Sequence, residues 1–402
     1  MRIFTPTLTA LVAAFTILCI AAAETPQFAL SRELQINARD VGAADEARWS
    51  VQTSGIDTNL RGVSAAYISD AIAAGRAANL PEARHVAVWA CGSNGVILFS
   101  NDEGKTWKRL HVAGGETLDF RGIVALDETT AYLMASGEGD KSRIYKTMDG
   151  GETWKLEFTD KRPSFFLDAL VCNRDCYALS DPVDGKFVLV GAQNGENWKE
   201  LPGDGMPVAL PGEGAFAASG TSLAIDRQGE MHFGTGGGKA ARVFHSTDRG
   251  KTWTAAETPI ASGNASSGIF SIVLDAKLLM AVGGDYKDPK RTDRVAAYSL
   301  DDGKTWQLSA QQPGGYRSAV ISLHSAMLTV GPTGEDISED RGAHWKTIGS
   351  LDLNAAFILD TYNGWAAGAK GTIARLVNHT QYRIRNDERQ PDSAPSPTSR
   401  SR

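Results

Sequence analysis

Short apolar stretches separated by polar turns recur along most of the chain. Four of them make one copy of the pattern: FRGIVAL from Phe120, TAYLMASG from Thr130, SRIYKTM from Ser142 and TWKLEF from Thr153. Short apolar runs bounded by turn residues are typical of β-strands. Each copy therefore predicts four antiparallel strands, which is the content of one propeller blade.

The turn between the third and fourth strands has a repeated sequence. The copies are SNDEGKTW (100–107), TMDGGETW (147–154), STDRGKTW (246–253), SLDDGKTW (299–306), SEDRGAHW (338–345) and a degraded GAQNGENW (191–198), with Gln193 in place of the aspartate. The six terminal tryptophans are 39 to 55 residues apart. A repeat of this length made of short strands indicates propeller blades or solenoid turns.

The residues of this repeat suit a structural role. An aspartate can accept hydrogen bonds from turn N–H groups, glycine supplies a positive φ, and tryptophan can pack against the next blade. The predicted structural residues are Asp102, Trp107, Asp149, Trp154, Trp198, Asp248, Trp253, Asp301, Trp306, Asp340 and Trp345. Each turn offers one or two carboxylates, fewer than calcium needs. The seven histidines show no HExxH or comparable cluster, so we expect no metal site.

The repeat also predicts how the ring closes. Six units end at the six tryptophans, and residues 354–376 supply three more strands without a final turn. The missing strand is RWSVQTS at residues 48–54, which resembles TWKRL at 106–110. We therefore predict an all-β, seven-bladed propeller of four-stranded antiparallel blades over residues 45–377, closed by the N-terminal strand. An alanine-rich insert at residues 69–83 favours a short helix.

The two ends of the chain lie outside this ring. Arg2, an apolar run at residues 8–20 and three alanines before Glu24 are typical of a secretory signal peptide over residues 1–23. Residues 24–44 form an N-terminal lead, and residues 378–402 are predicted to be a disordered polar tail. We expect an exported protein, periplasmic or secreted, with no transmembrane anchor in the mature chain.

Charge and cysteine content restrict the partners and the compartment. The net charge is −6, and removal of Arg2 leaves 40 basic against 47 acidic residues, or −7. An acidic surface argues against nucleic acid and anionic membranes as partners. Cys172 and Cys176 either form a disulfide across a tight hairpin or remain packed thiols, and Cys91 is expected to be a buried thiol.

The starts of the innermost strands give a candidate site at the mouth of the pore. Arg61, Arg121 and Arg317 occupy equivalent positions in neighbouring blades, where the other blades have Leu167, Ala218, Phe270 and Asn354. Guanidinium groups bind carboxylates or phosphates bidentately. The predicted binding residues are Arg61, Arg121, Asp168, Asp181, Glu213, Asp285, Tyr316 and Arg317. Alternatively, each arginine pairs with a carboxylate of a neighbouring blade and only holds the ring together.

The repeated turns match the sequence S-x-D-x-G-x-T-W of Asp-boxes, also called bacterial neuraminidase repeats. NLRGVSA from Asn59, DFRGIVA from Asp119 and GWAAGAKGTIARL from Gly364 resemble the photosystem II stability and assembly factor family. FFLDAL from Phe165, VGGDY from Val282 and GYRSAV from Gly315 resemble a non-photosynthetic bacterial branch often labelled oxidoreductase. This resemblance implies a binding or assembly role outside the cytoplasm.

Two functions remain open on the sequence. The favoured one is an assembly, stability or scaffold propeller that binds a protein partner or a small anionic or carbohydrate ligand at its pore mouth. The alternative is an exported glycosidase or sialidase-like hydrolase using carboxylates of the mouth. Redox chemistry gains no support, because there is no C-x-x-C pair and GTGGGKA at residues 234–240 has no helix after it. We assign no catalytic residue and no cofactor, and we expect a monomer.

Overall fold

The computed structural model describes residues 48–69, 85–323, 326–360 and 362–377. The chain divides into two units, Met1–Val41 and Gly42–Arg402, and every described residue lies in the second. The expected signal peptide, lead and tail lie outside the described residues, as does the predicted insert at residues 69–83 apart from Ser69. No helix among the described residues is long and apolar enough to span a membrane.

The described residues form seven antiparallel sheets of four strands each, the seven-bladed all-β propeller that the repeat predicts. Blades I to III comprise β2 (Leu60–Tyr67), β3 (Val86–Gly92), β4 (Val96–Ser100), β5 (Lys108–Leu110); β6 (Asp119–Ala125), β7 (Ala131–Ser136), β8 (Arg143–Thr147), β9 (Lys155–Thr159); and β10 (Leu167–Cys172), β11 (Cys176–Val183), β12 (Lys186–Gln193), β13 (Glu196–Glu200). Blades IV to VI comprise β14 (Leu223–Ile225), β15 (Met231–Gly234), β16 (Ala241–Ser246), β17 (Thr254–Thr258); β18 (Ser267–Asp275), β19 (Leu278–Asp285), β20 (Ala296–Ser299), β21 (Gln307–Leu308); and β22 (Ala319–Leu323), β23 (Ala326–Gly331), β24 (Gly334–Ser338), β25 (Lys346–Gly349). Blade VII comprises β26 (Leu353–Asp360), β27 (Asn363–Gly368), β28 (Ile373–Val377) and, from the other end of the chain, β1 (Arg48–Gln52). Short 3-10 turns occur at Gly139–Lys141 and Ala369–Gly371.

Blade VII confirms the predicted closure. β1 pairs with β28 over five residues, from Arg48 opposite Val377 to Gln52 opposite Ile373. The first strand of the ring therefore covers the outer edge of the last blade, which removes an exposed sheet edge.

Apolar side chains hold neighbouring blades together. Within the described part of the chain, one buried cluster lies between each pair of adjacent blades. Six of these clusters each include one tryptophan of the repeat, and the cluster between blades VI and VII includes Trp49 instead: Trp107, Trp154, Trp198, Trp253, Trp306, Trp345 and Trp49. Trp49 of β1 thus takes the place of the tryptophan that blade VII lacks after its third strand.

The repeated turn is a closed hydrogen-bond unit. In the first copy the Thr106 N–H and hydroxyl donate to the two Asp102 oxygens at 2.9 and 2.7 Å, and the Gly104 N–H donates to Ser100 Oγ at 2.8 Å. Glu103 and Gly104 both have positive φ, 63° and 82°. Both oxygens of the aspartate thus accept hydrogen bonds from within the turn. The repeat is therefore a structural element.

Blade III departs from the pattern in two ways. Its degraded turn is a tight hairpin in which Gln193 pairs with Glu196. Its first two strands are joined by a short turn, across which Cys172 faces Cys176 and the two form a disulfide. Cys91 is a free thiol, fully buried between blades I and II.

Candidate functional site

In five blades the innermost strand has a β-bulge near its start, and one residue of that strand is skipped in the pairing with the second strand. The skipped residues are Arg61, Arg121, Asp168, Phe270 and Asn354. A bulge turns a side chain out of the regular alternation of the strand. All five residues line one cavity of about 460 Å³ at the mouth of the central channel. The Asp-box turns lie at the opposite end, since they join the third and fourth strands of antiparallel sheets.

This geometry shifts the sequence alignment of the strand starts by one residue in two blades. In blade III the skipped residue is Asp168 and not Leu167. In blade VI, Ser318 occupies the corresponding place beside Val330, so Arg317 lies one residue earlier. Arg61 and Arg121 therefore occupy equivalent positions, whereas Arg317 does not.

Residues 215–220, which precede β14, cross the channel and form the floor of the cavity; we call them the pore segment. Arg121 Nη1 of blade II donates to the Ala217 carbonyl at 3.1 Å, and Ser219 Oγ donates to the Ser318 carbonyl of blade VI at 2.8 Å. The pore segment thus connects blades on opposite sides of the ring.

An aromatic wall lies on one side of the cavity. Phe216 of the pore segment stacks on Phe270 with ring centroids 3.9 Å apart. Tyr316 and Tyr286 meet Phe270 edge-on, at 4.7 and 6.1 Å. Tyr316 is buried, which raises the pKa of its hydroxyl, whereas Tyr286 is 47% exposed at the rim. The wall offers apolar surface to a ligand.

Arg61 is the lining arginine best placed to meet a ligand. When the Asn59 amide is turned so that its oxygen faces Arg61, it accepts from Nε and Nη2 at 3.0 and 3.1 Å. Among the described residues, no carboxylate forms an ion pair with Arg61. Burial, and then the charge of Arg121, lower its pKa. An anionic group in the cavity would stabilise the charged form of Arg61 and so oppose this lowering of its pKa.

The other two predicted arginines are already paired. Arg121 binds Asp119 of its own strand, with Nε to Oδ2 at 2.7 Å. Arg317 is fully enclosed at 0% exposure, and its Nε donates to Asp336 Oδ2 at 2.6 Å. Since Asp336 lies on β24 of the same blade, this pair links the residues that lead into β22 to the third strand of blade VI.

Two carboxyl groups face the arginines across the cavity. Asp168 is 1% exposed, and burial followed by the charge of Asp181 raises its pKa well above the usual range. Burial also raises the pKa of Asp181, to about 6, although its Oδ1 accepts from the Ala215 N–H at 2.8 Å. Asp168 Oδ2 is buried without a hydrogen-bond partner.

The remaining two predicted acids are engaged outside the cavity lining. Glu213 accepts from Arg242 Nε at 2.8 Å and from the Thr235 hydroxyl at 2.6 Å. Asp285 accepts from Asn264 Nδ2 at 3.1 Å. These contacts hold the loops around blades IV and V, so of the predicted residues the cavity brings together Arg61, Arg121, Asp168, Asp181 and Tyr316.

Sequence reasoning predicted Tyr316 of the aromatic wall but missed Phe216, Tyr286 and the pore segment as parts of the site. One signal was available, because the 55 residues between Trp198 and Trp253 are the largest gap in the repeat. It also found no histidine cluster, whereas Glu230, His232 and His245 place potential metal ligands within 4.8 Å of one another.

Known proteins support the fold and the resemblance. The BNR/Asp-box repeat model matches residues 244–255. The chain is similar to the photosystem II assembly lipoprotein Ycf48 of Synechococcus sp. (strain CC9902), at 28% identity over 149 residues, or 35% of this chain and 42% of that protein. It is also similar to Ycf48 of Prochlorococcus marinus (strain NATL2A), at 45% identity over 42 residues, or 10% of this chain and 12% of that protein. The alignments thus span less than half the length of these relatives.

Solved structures share the architecture across most of the chain. A structure of YCF48 bound to D1 peptide matches with a TM-score of 0.55 at 13% identity, covering 82% of this chain and 96% of the other. YCF48 from Cyanidioschyzon merolae matches with a TM-score of 0.54 at 15% identity, covering 81% and 98%. The protein is thus an Asp-box propeller that resembles photosystem II assembly factors.

Proposed function

We propose that the protein is an assembly or stability factor that binds a short segment of a protein partner at its pore mouth. The observation that carries the proposal is the cavity itself, where Arg61 lacks a carboxylate partner among the described residues and stands opposite an aromatic wall. The similar proteins support it, since two are named assembly lipoproteins and one solved propeller is bound to a peptide.

The chemistry of the cavity suits an acidic segment. An aspartate, a glutamate or a terminal carboxylate would bind Arg61 bidentately. An apolar neighbour in the segment would contact Phe216, Phe270 and Tyr286. A volume of about 460 Å³ is that of a small-ligand site, so the cavity accepts a few side chains and not a folded domain.

Export and a monomeric state belong to the same proposal. The signal peptide predicted over residues 1–23 directs the chain out of the cytoplasm. The disulfide between Cys172 and Cys176 suits an oxidising compartment. Every blade has its four strands within the described residues, and the outer edge strands are short, so no blade needs a second copy to complete it.

Site-specific photo-crosslinking in the native envelope tests the binding mode. A crosslinker replaces Tyr286 at the rim or, as a control, Met148 in an Asp-box turn at the opposite end, where Met148 is 70% exposed. We expect a discrete partner from the Tyr286 position, identified by mass spectrometry of the crosslinked peptide. Crosslinks from the Met148 position alone would place binding elsewhere.

Substitution of Arg61 tests whether its positive charge contributes to partner binding. Arg61→Ala should weaken the crosslink or the affinity for the identified peptide at least tenfold, because it removes the lining arginine that has no carboxylate partner among the described residues. Arg109→Ala on the exposed outer strand β5 is the matched control and should bind normally. A folded Arg61→Ala variant with unchanged affinity refutes the proposal.

A hydrolase is the second candidate, favoured by one observation. Asp168 and Asp181 share the cavity and both have raised pKa values, as a general acid requires. We rank the hydrolase second because the Asp168 side chain is buried. Hydrolysis of any member of a glycoside panel by the wild type, abolished in Asp181→Asn, would establish it in place of partner binding.

A further inference from the structure

Three potential metal ligands converge at the Asp-box end of blade IV. His232 on β15 and His245 on β16 are direct partners across the antiparallel ladder, so their side chains share one face of the sheet. Glu230 precedes His232 by two residues and therefore lies on that face as well. His245 Nε2 is 2.6 Å from Glu230 Oε1, and His232 Nε2 is 3.9 Å from the same oxygen.

His232 is unexplained by the fold. It is 1% exposed, and neither Nδ1 nor Nε2 has a partner with hydrogen-bond geometry. Its ring is parallel to that of His245, with centroids 4.1 Å apart. A buried polar group without a partner lowers the stability of the fold, and a hydrophobic residue in this place would avoid that loss.

An ion pair between His245 and Glu230 accounts for only two of the three side chains. It leaves His232 enclosed beside them, near the backbone of Asp302 but with no partner at hydrogen-bond geometry for either nitrogen. A metal ion held by all three side chains would give His232 a partner.

We propose that Glu230, His232 and His245 bind a divalent first-row transition metal ion, with Zn²⁺ the best match. Two imidazoles and one carboxylate are ligands that zinc accepts at about 2.0–2.2 Å. Their ligand atoms already lie within 4.8 Å of one another, so modest side-chain rotations bring them to a common ion. Calcium and magnesium are disfavoured, because they prefer oxygen ligands.

The site has room for a further ligand. Glu230 and His232 line a cavity of about 460 Å³ between blades IV and V, together with Asp226, Lys277 and Asp302. A water molecule could complete the coordination from this side. The site lies at the opposite end of the ring from the pore mouth, so its test is independent of the proposed partner.

Zinc binding by untagged protein is the direct test. Mature protein stripped with EDTA is dialysed against ZnCl₂, and bound metal is measured by mass spectrometry. We expect one zinc per chain and a higher Tm with zinc than without. Co²⁺ in place of Zn²⁺ should give visible absorption bands of a coordinated ion.

Variants identify the ligands. His245→Ala and Glu230→Gln remove half-buried ligands with little loss of packing and should weaken zinc binding at least tenfold and abolish the Tm shift. His111→Ala is the matched control: His111 Nε2 is 2.9 Å from Glu116 Oε1 on the surface, and the described part of the chain adds no third ligand to that pair. Binding well below one zinc per chain, or binding unchanged in a folded His245→Ala variant, overturns the proposal.

Discussion

Replacing Asp181 by asparagine tests the electrostatics of the pore mouth. The Asp181 carboxylate faces the cavity beside Asp168, which lies enclosed within it. Asparagine has the same shape, and its amide oxygen can still accept from the Ala215 N–H, which lies 2.8 Å from Asp181 Oδ1. The substitution therefore removes a charge and preserves the main contact.

The size of the effect follows from the pKa of Asp181. Burial raises it from 3.8 to about 6, so the folded protein holds this proton more tightly than the unfolded chain does. Stability from this group is complete below about pH 4 and is lost as the pH rises through 6. Two pKa units at 1.36 kcal/mol each give a cost of about 3 kcal/mol at pH 7.5. Loss of the Asp181 charge also lowers the pKa of Asp168, which adds to the stability that the Asp181→Asn variant gains.

Urea unfolding followed by tryptophan fluorescence measures this effect at two pH values. Asp181→Asn should be more stable than wild type by about 1–3 kcal/mol at pH 7.5 and nearly equal to it at pH 4. Asp149→Asn is the control with the opposite sign, because hydrogen bonds from Thr153 lower the pKa of Asp149 to about 2. An Asp181→Asn variant that is destabilised, or that gains the same amount at both pH values, refutes the reasoning.

Three further predictions concern the ring. Arg317→Ala leaves Asp336 buried without its cation and should lower the free energy of unfolding by about 3–5 kcal/mol in the same urea assay; a loss below about 1 kcal/mol would contradict the pairing. Cys172→Ser with Cys176→Ser opens a short loop and should cost about 2 kcal/mol, with no loss if the thiols are not bonded in solution. Deletion through Arg48–Gln52 exposes the edge of β28 and should lower Tm and promote association in light scattering; an unchanged monomer would show that closure by β1 is dispensable.

The fold could be read from the sequence because its signals are local. Each Asp-box joins residues within four positions of one another, as Thr106 and Asp102 do. Such a unit leaves the same sequence wherever it occurs, so its recurrence counts the blades. The missing copy after β28 then identified Trp49 and its strand as the closing element.

The site was only partly predictable because its geometry is not local. Bulges decide whether Asp168 or Leu167 turns toward the channel, and both choices fit the same apolar pattern. The pore segment depends on contacts such as Ser219 to Ser318, which are 99 residues apart. The choice between pairing and binding was also different for each arginine, since Arg317 is enclosed with Asp336 whereas Arg61 contacts an amide and no carboxylate among the described residues.

The carboxyl groups of the Asp-box turns and those of the pore mouth lose their charge in different pH ranges. Hydrogen bonds from threonine lower the pKa of Asp149, Asp248 and Asp301 to about 2, so these turns keep their charged contacts until the pH falls toward 2. Asp181 titrates at about 6. Between these limits the mouth loses negative charge as the pH falls, while the turns stay intact. Since Arg61 then faces fewer competing anions, an acidic partner segment should bind more tightly at pH 5 than at pH 7.5, opposite to the effect expected for a cationic one.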